Sequence, residues 1–458
     1  MNCLIGDREQ LISNDMLLCT APSPSSIHNN RNNNQSGNNI ISTIFLIVNA
    51  TLGAGLLNFP QAFDKAGGLV TSISVQLVLL VFITTTLIIL ANCSDITNTC
   101  CMQDMFANFY GQKSFLLCAF CIMIYSFGCC LTFLIVVGDQ FDRVLSTYYG
   151  FDYCHTWYLS RTFVTIVTCS LFILPLCFFK RLDVLSYTSS IGCITILYVV
   201  SLIVYKSFTY TESPINPMKI WPDNKLEALQ IIPIICFAYQ NHMTAIPMYA
   251  CMKERNLRKF TLCAIVSMII CFTIYTVVGI FGYATFGIDK VPSDILQGYT
   301  DKSIILTLGI IFIAIKNFTT YPIVLYCGRD ALLSLLGMDI NITIKFRIFI
   351  TLIWYILSLI IAILLPDISP VINLLGVLSA AFIFIFPGIC LFQCILLKDS
   401  ELHLNKDRLL IFFAVFITAL GAFVSGIIFV ETIEDLSITS KTIPLVTGFK
   451  HLKKNLCT

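Results

Sequence analysis

Two stretches of this chain carry residue types that could hold a small charged molecule inside an apolar environment. The first reads Asn49-Ala50-Thr51-Leu52-Gly53-Ala54-Gly55-Leu56-Leu57-Asn58-Phe59-Pro60, a hydrophobic run interrupted by Gly53 and Gly55. The second, Pro233-Ile234-Ile235-Cys236-Phe237-Ala238-Tyr239-Gln240-Asn241-His242-Met243-Thr244-Ala245-Ile246-Pro247, has a proline on each side of a polar centre. Glycine weakens a helix interior by about 1 kcal/mol relative to alanine, and proline removes an amide donor. A helix broken at such points frees backbone N–H and C=O groups. The amides of Gly53, Ala54 and Gly55 would open a half-helix, whose positive end suits a carboxylate. The carbonyls of Thr51, Cys236, Phe237 and Ala238 would suit an ammonium. Glycine at 53 and 55 lets backbone approach a ligand closely. Tyr125, Tyr239 and Gln240 are candidates for the side-chain pocket, and Gln240 or Asn241 could pair with a primary amide. The competing reading is structural: close helix packing or a plain kink for the breaks, interhelical hydrogen bonds for the amides.

Other polar residues stand out against the apolar background. Lys316 is the one charged residue deep within any predicted span, where a charge costs about 3 kcal/mol or more and marks function by default. It lies four residues before Thr320, on the same helical face. An ammonium there could occupy or adjoin a cation site, or load a proton on an acidic side and release it on the other; a passive charge in a wet cavity is the alternative. His242 beside the second break could sense protons, since histidine changes charge between pH 5 and 8, or serve structurally. Asp7-Arg8-Glu9-Gln10-Leu11-Ile12 fits an acidic dileucine sorting signal, in which Asp7, Leu11 and Ile12 would be read by sorting adaptors. The one CxxC, Cys118 and Cys121, sits in an apolar run without a partner pair, so neither metal nor redox chemistry is expected of it.

The elements that must position these groups follow from composition. Hydrophobic residues make up 57% of the 458 and charged residues 12%, half the charged share of a soluble domain. Lipid is therefore the solvent for much of the chain, and the net charge of +2 leaves no nucleic-acid footprint. The 21 cysteines lie mostly in apolar runs, as small hydrophobes. Runs near 20 apolar residues occur at 40–63, 69–91, 114–138, 162–179, 184–205, 228–250, 260–286, 303–327, 348–365, 368–397 and 409–430, which predicts an all-α polytopic membrane protein of eleven transmembrane helices. Residues 1–39, rich in Ser, Pro and Asn, form a tail expected to be disordered. With that tail in the cytosol, the cytosolic loops hold 13 Lys and Arg against 8 in the outer loops, both termini aside, in keeping with the positive-inside bias. Residues 431–458 then lie outside. Only Cys154 and Cys457 fall on the outer side, so one disulfide at most is expected there. Sequons at Asn34, Asn92 and Asn341 fall on the cytosolic side.

The two interrupted spans are the first and the sixth, five apart. Breaks at matching positions of two five-helix halves, about 40–205 and 228–397 with an extra helix at 409–430, point to a transporter's binding site.

On these residues the chain resembles the sodium-coupled neutral amino acid transporters of the amino acid/auxin permease superfamily. The first-span stretch followed by Gly67-Gly68, Thr320-Tyr321-Pro322-Ile323 with Cys327-Gly328-Arg329, Leu364-Leu365-Pro366-Asp367-Ile368, and Phe384-Ile385-Phe386-Pro387-Gly388 are similar to that family's spans one, eight, nine and ten. The resemblance covers residues 40–430 and is nearest to the lysosomal glutamine and asparagine exporters. It implies a LeuT-type inverted five-plus-five repeat with broken helices one and six, a cytosolic N-terminus, and transport of neutral amino acids by alternating access. It also implies a sodium site using Asn49 and Thr320, with Thr319 adjacent; Lys316 departs from that pattern. With the sorting motif, it implies the lysosomal membrane, with a sodium-coupled importer at the plasma membrane as the alternative. A membrane-embedded enzyme is disfavoured, since only His242 lies in a span and no acidic partner does. A non-transporting amino acid sensor on the same fold stays open.

Overall fold

The computed structural model describes residues 38–442 apart from 54, 150–156, 179–182, 210–217, 225, 300–302, 339–342, 366–367 and 398–403. The motif at Asp7, Leu11 and Ile12, the thiols of Cys154 and Cys457, and Ala54 lie outside the described residues.

The described parts of the apolar runs are helical apart from their ends and short interruptions at 52–53 and 239–241. They form α1 (Ile40–Thr51), α2 (Gly55–Lys65), α3 (Leu69–Thr97), α5 (Gln112–Tyr149), α6 (Arg161–Cys177), α7 (Asp183–Thr209), α8 (Ile232–Ala238), α9 (His242–Ala250), α10 (Leu257–Phe286), α12 (Ile304–Leu335), α13 (Ile344–Leu364), α14 (Ser369–Ala380), α15 (Phe386–Leu397) and α16 (Leu404–Thr442). Two short helices join them, α4 (Met102–Tyr110) and α11 (Ile295–Gly298). A π-helical turn, Ala381–Ile385, joins α14 to α15. Among the described residues, eight helices are long and apolar enough to cross a membrane singly, and α1 with α2, counted as one bent span, would make a ninth.

Several predicted ends move. The loop drawn at 92–113 holds the end of α3 and all of α4, whose Phe106 ring packs on Phe386 at 5.0 Å. The third span does not stop at residue 138. Polar Asp139 and Gln140 continue inside α5, because Arg161 pairs with Asp139 at 2.6 Å and Gln140 meets Asp294. The helix of the eighth span continues to Leu335, which puts Arg329 inside α12 as a buried cation besides Lys316 and Lys206; its Nη1 donates to Thr351 Oγ1 at 3.0 Å. Lys316 is therefore not the one buried charge, and polar partners from neighbouring helices explain why Asp139 and Arg329 fit. Cys118 and Cys121 are free thiols within α5.

The helices pack in two groups. In one, α10 lies against α1, α2 and α3, and α9 lies against α1 and α3. In the other, α5 lies against α12, α6 and α13. The amino-terminal chain is tied to the first group: Asn38 N donates to the Cys251 carbonyl at 3.0 Å, and Lys253 N donates to the Asn38 carbonyl at 3.1 Å.

Candidate functional site

Helix α1 ends where Leu52 leaves helical geometry, its amide still donating to Val48 at 2.8 Å. Helix α2 resumes at Gly55, with three residues between it and the end of α1. Helix α8 stops at Ala238 and α9 begins at His242, so Tyr239, Gln240 and Asn241 connect two half-helices beside the first break. The flanking prolines lie away from the break itself: Pro233 opens α8 at a position where no amide bond is lost, and Pro247 lies inside α9.

The two breaks are tied together. Asn241 Nδ2 donates to Thr51 Oγ1 at 2.9 Å, and that hydroxyl donates to the Ile47 carbonyl at 2.8 Å. Tyr275 of α10 spans both: its hydroxyl lies 2.8 Å from the Thr51 carbonyl and 3.0 Å from the Ala238 carbonyl. Those two carbonyls were expected to be left for a ligand's ammonium; the hydroxyl's single proton can be given to one of them at a time, and a carbonyl oxygen holds two lone pairs, so both keep capacity to accept. Tyr275 stacks on Phe59 at 4.3 Å and packs on Tyr239 at 5.0 Å. Tyr239 is fully buried, and Gln76 of α3 donates to its hydroxyl at 2.7 Å. Tyr239 therefore has an interhelical partner. Gln240 Nε2 and Asn241 Oδ1 are buried without a hydrogen-bond partner among the described residues. A buried unpaired polar group costs about 1–3 kcal/mol, so both are candidates to meet a ligand's polar groups.

The glycines separate in role. A Cβ on Gly53 would meet nothing nearer than the Thr51 carbonyl at 4.0 Å, so its backbone faces open space. A Cβ on Gly55 would lie 2.9 Å from Ala238 Cβ. The smallness of Gly55 thus serves the close approach of α2 to α8. Cys236 and Phe237 are buried in α8. Tyr125 of α5 is buried with its ring edge-on to Phe382 of the π turn at 5.6 Å. His242 is fully buried, its Nε2 2.9 Å from Thr86 Oγ1 of α3, in an interhelical hydrogen bond.

The cation question turns on α12. Lys316 is buried, and its ammonium donates to the carbonyl of Leu52, the first residue beyond α1. Thr319 and Thr320 both donate their hydroxyl protons to the Lys316 carbonyl at 2.8 Å, leaving their oxygen lone pairs to accept. Asn49 Oδ1 is buried without a partner, close against Gly192 of α7. Neutral oxygens of this kind fit a sodium ion in chemistry. The ammonium on Leu52 does not: it already supplies a positive charge at the same break.

Sequence reading missed Tyr275 and Gln76. Gln76 gave a signal, a lone amide in the apolar run Ile73–Leu80; Tyr275 gave none, because a tyrosine among Phe, Ile and Val looks like core.

Comparison with known proteins places these features. The family described as transmembrane amino acid transporter protein matches residues 36–434. Sodium-coupled neutral amino acid transporter 7 of Danio rerio is 33% identical over 89% of this chain and 90% of its own length. The protein of that name from Xenopus laevis is 36% identical over 85% and 88%. The putative sodium-coupled neutral amino acid transporter 8 of Xenopus tropicalis is 33% identical over 84% and 91%. Among solved structures, MhsT in complex with L-phenylalanine superposes with a TM-score of 0.59, at 10% identity, over 87% of this chain and 100% of MhsT. That likeness is of fold.

Proposed function

Since the chain belongs to the transmembrane amino acid transporter family, and so is a multi-pass membrane carrier of amino acids and not an enzyme, we propose that its substrate is a small neutral amino acid of the glutamine and asparagine kind. The observation that carries this reading is the pair of breaks held face to face by Asn241, Thr51 and Tyr275. Between them, the open backbone at Gly53 would receive the carboxylate. The unpartnered amide groups of Gln240 and Asn241 would receive a side-chain amide. Cys236, Phe237, Tyr239 and Tyr125 would line the same pocket. The architecture proposed is eleven transmembrane helices, 40–430, in two inverted five-helix repeats with helices one and six broken, between a cytosolic tail at 1–39 and an outer tail at 431–458. The two packed helix groups would rock against one another around the fixed site. The sorting motif in the tail supports the lysosomal membrane, with adaptors as its readers; the plasma membrane is the alternative.

The relatives' names support sodium as the coupling ion, held by Asn49, Thr319 and Thr320. A specific observation favours a second reading. The Lys316 ammonium sits on the Leu52 carbonyl at the broken helix, so the lysine is the resident cation, sodium is not needed, and coupling falls to a proton gradient. His242, bonded to Thr86, is less suited to that role. One experiment tests all of this: purified protein in proteoliposomes, labelled glutamine, and sodium and pH gradients imposed separately. Flux of glutamine saturating at micromolar to millimolar concentration supports the substrate. No flux of any neutral amino acid, with binding retained, would instead favour a sensor.

A further inference from the structure

Residues 287–299 follow α10 toward α12 and carry α11, at the end of the bundle opposite Asn38. Neighbouring elements hold this connection down. From α2, Asn58 Nδ2 donates to the Ser293 carbonyl at 2.8 Å, and Asp64 accepts from the amide of Asp289 at 3.0 Å. From α5, Gln140 Nε2 donates to Asp294 Oδ2. Asp294 also caps α11, its Oδ1 accepting from Leu296 N at 2.9 Å. Its side chain is buried, with 3% of the residue exposed.

The charges around Asp294 do not neutralise it. On α5 stand Asp139, Asp142 and Arg143, and on α6 stands Arg161. Arg161 is committed to Asp139 at 2.6 Å. Asp64 and Asp289 add negative charge at the far end of the connection, beside Lys290. Burial, and after it the charge of Asp139, push the Asp294 carboxyl up to about 7. Gln140, fully buried, can meet Asp294 in either state: its N–H donates to an ionised carboxylate, and with the amide turned its Oε1 accepts the O–H of a protonated one. The Gln140–Asp294 contact thus survives in both protonation states, but only the protonated one avoids a buried charge.

We propose that Asp294 is a proton-binding latch that closes the α10–α12 connection over the outer mouth of the carrier when it is loaded. The proposal rests on the orientation given above, in which this end faces the lumen or the outside. Its sign follows from linkage. An opened, solvated Asp294 would titrate near 3.9. The closed form binds the proton more tightly, so the advantage of closure is complete below that value and is lost as pH rises through about 7.

The test uses the full chain in proteoliposomes and a membrane-impermeant maleimide. Ser293→Cys reports the latch and Tyr149→Cys, at an exposed position near the same end, serves as the reference; the parent protein supplies the background. The labelling ratio of position 293 to 149 should be low at pH 5. It should rise by up to tenfold for each pH unit between about 4 and about 7, the slope of a one-proton equilibrium, and level off above about 7. Adding Asp294→Asn, neutral at every pH, should hold the ratio low at pH 8, whereas Asp294→Glu should restore the pH response. A ratio that does not change with pH, or that still rises in the Asp294→Asn protein, overturns the proposal. Labelling needs no transport, so loss of glutamine flux with the pH response intact would sink the substrate reading alone. Labelling from the cytosolic side alone would sink the orientation and the proposal together.

Discussion

Replacing Lys316 by serine should convert the ion response of this carrier. The ammonium donates to the Leu52 carbonyl, and the Thr320 hydroxyl lies one helical turn along the same face. A sodium ion on Asn49, Thr319 and Thr320 is taken to lie one helical turn, about 5 Å, from that ammonium. Two unit charges at that distance repel by about 3 kcal/mol at an effective dielectric of about 20, or roughly two hundredfold in sodium affinity. The unmodified protein should therefore ignore sodium in the millimolar range. Lys316→Ser should bind sodium roughly a hundredfold more tightly, and its glutamine flux should lose its dependence on a pH gradient. The serine also leaves the Leu52 carbonyl without its donor, at a cost of about 1–3 kcal/mol, so a monodisperse, thermally folded sample is a condition of the assay. The measurement is initial uptake into proteoliposomes across a sodium titration with choline as replacement. Unmodified protein that requires sodium and does not respond to pH, with Lys316→Ser showing the same sodium midpoint, would refute the reasoning and leave the lysine a passive charge.

Tyr275→Phe removes one hydroxyl that serves two broken-helix carbonyls. It should cost about 1–3 kcal/mol in stability, read as a lowered Tm, and should weaken substrate binding more than a Tyr283→Phe control at the end of the same helix. Gly53→Val and Gly55→Val should fail differently. The first should fold and lose uptake, because its side chain enters open space at the proposed carboxylate position, and the second should lose folded protein, because its Cβ meets Ala238 at 2.9 Å; normal uptake by a folded Gly53→Val protein would reject the site. Replacing Leu11 and Ile12 by alanine should move the protein from lysosomes to the plasma membrane in imaging, and unchanged lysosomal residence would remove the reason for that location.

What could be read in advance, and what could not, divides along physical lines. The long apolar helices were legible because a chain in lipid must satisfy its backbone internally, which leaves helices as the form for long apolar segments. The two breaks were legible for the converse reason: glycine and proline spoil a helix visibly. Helix ends were less so. Gly138-Asp139-Gln140 reads as a loop, yet α5 runs to Tyr149 because Arg161 and Asp294, distant in sequence, meet those polar groups. Pairings across the fold were hidden for the same reason. Nothing local tells Tyr275 from a core aromatic, or tells the glycine that packs, Gly55, from the one that faces space, Gly53.

The π-helical turn at Ala381–Ile385 has its own consequence. One additional residue in a helix rotates all that follows by about 100° relative to a regular one. Ile372, Leu375 and Ser379, buried before the turn, and Phe386, Cys390 and Cys394, buried after it, therefore need not lie along one stripe. The first half of this long helix rests on α8 and α5, the second on α3 and α4, while α16 accompanies both. The wide turn works as a swivel in the covalent chain, letting one membrane-crossing rod show a different side to the inner and outer halves of the protein without bending away from either.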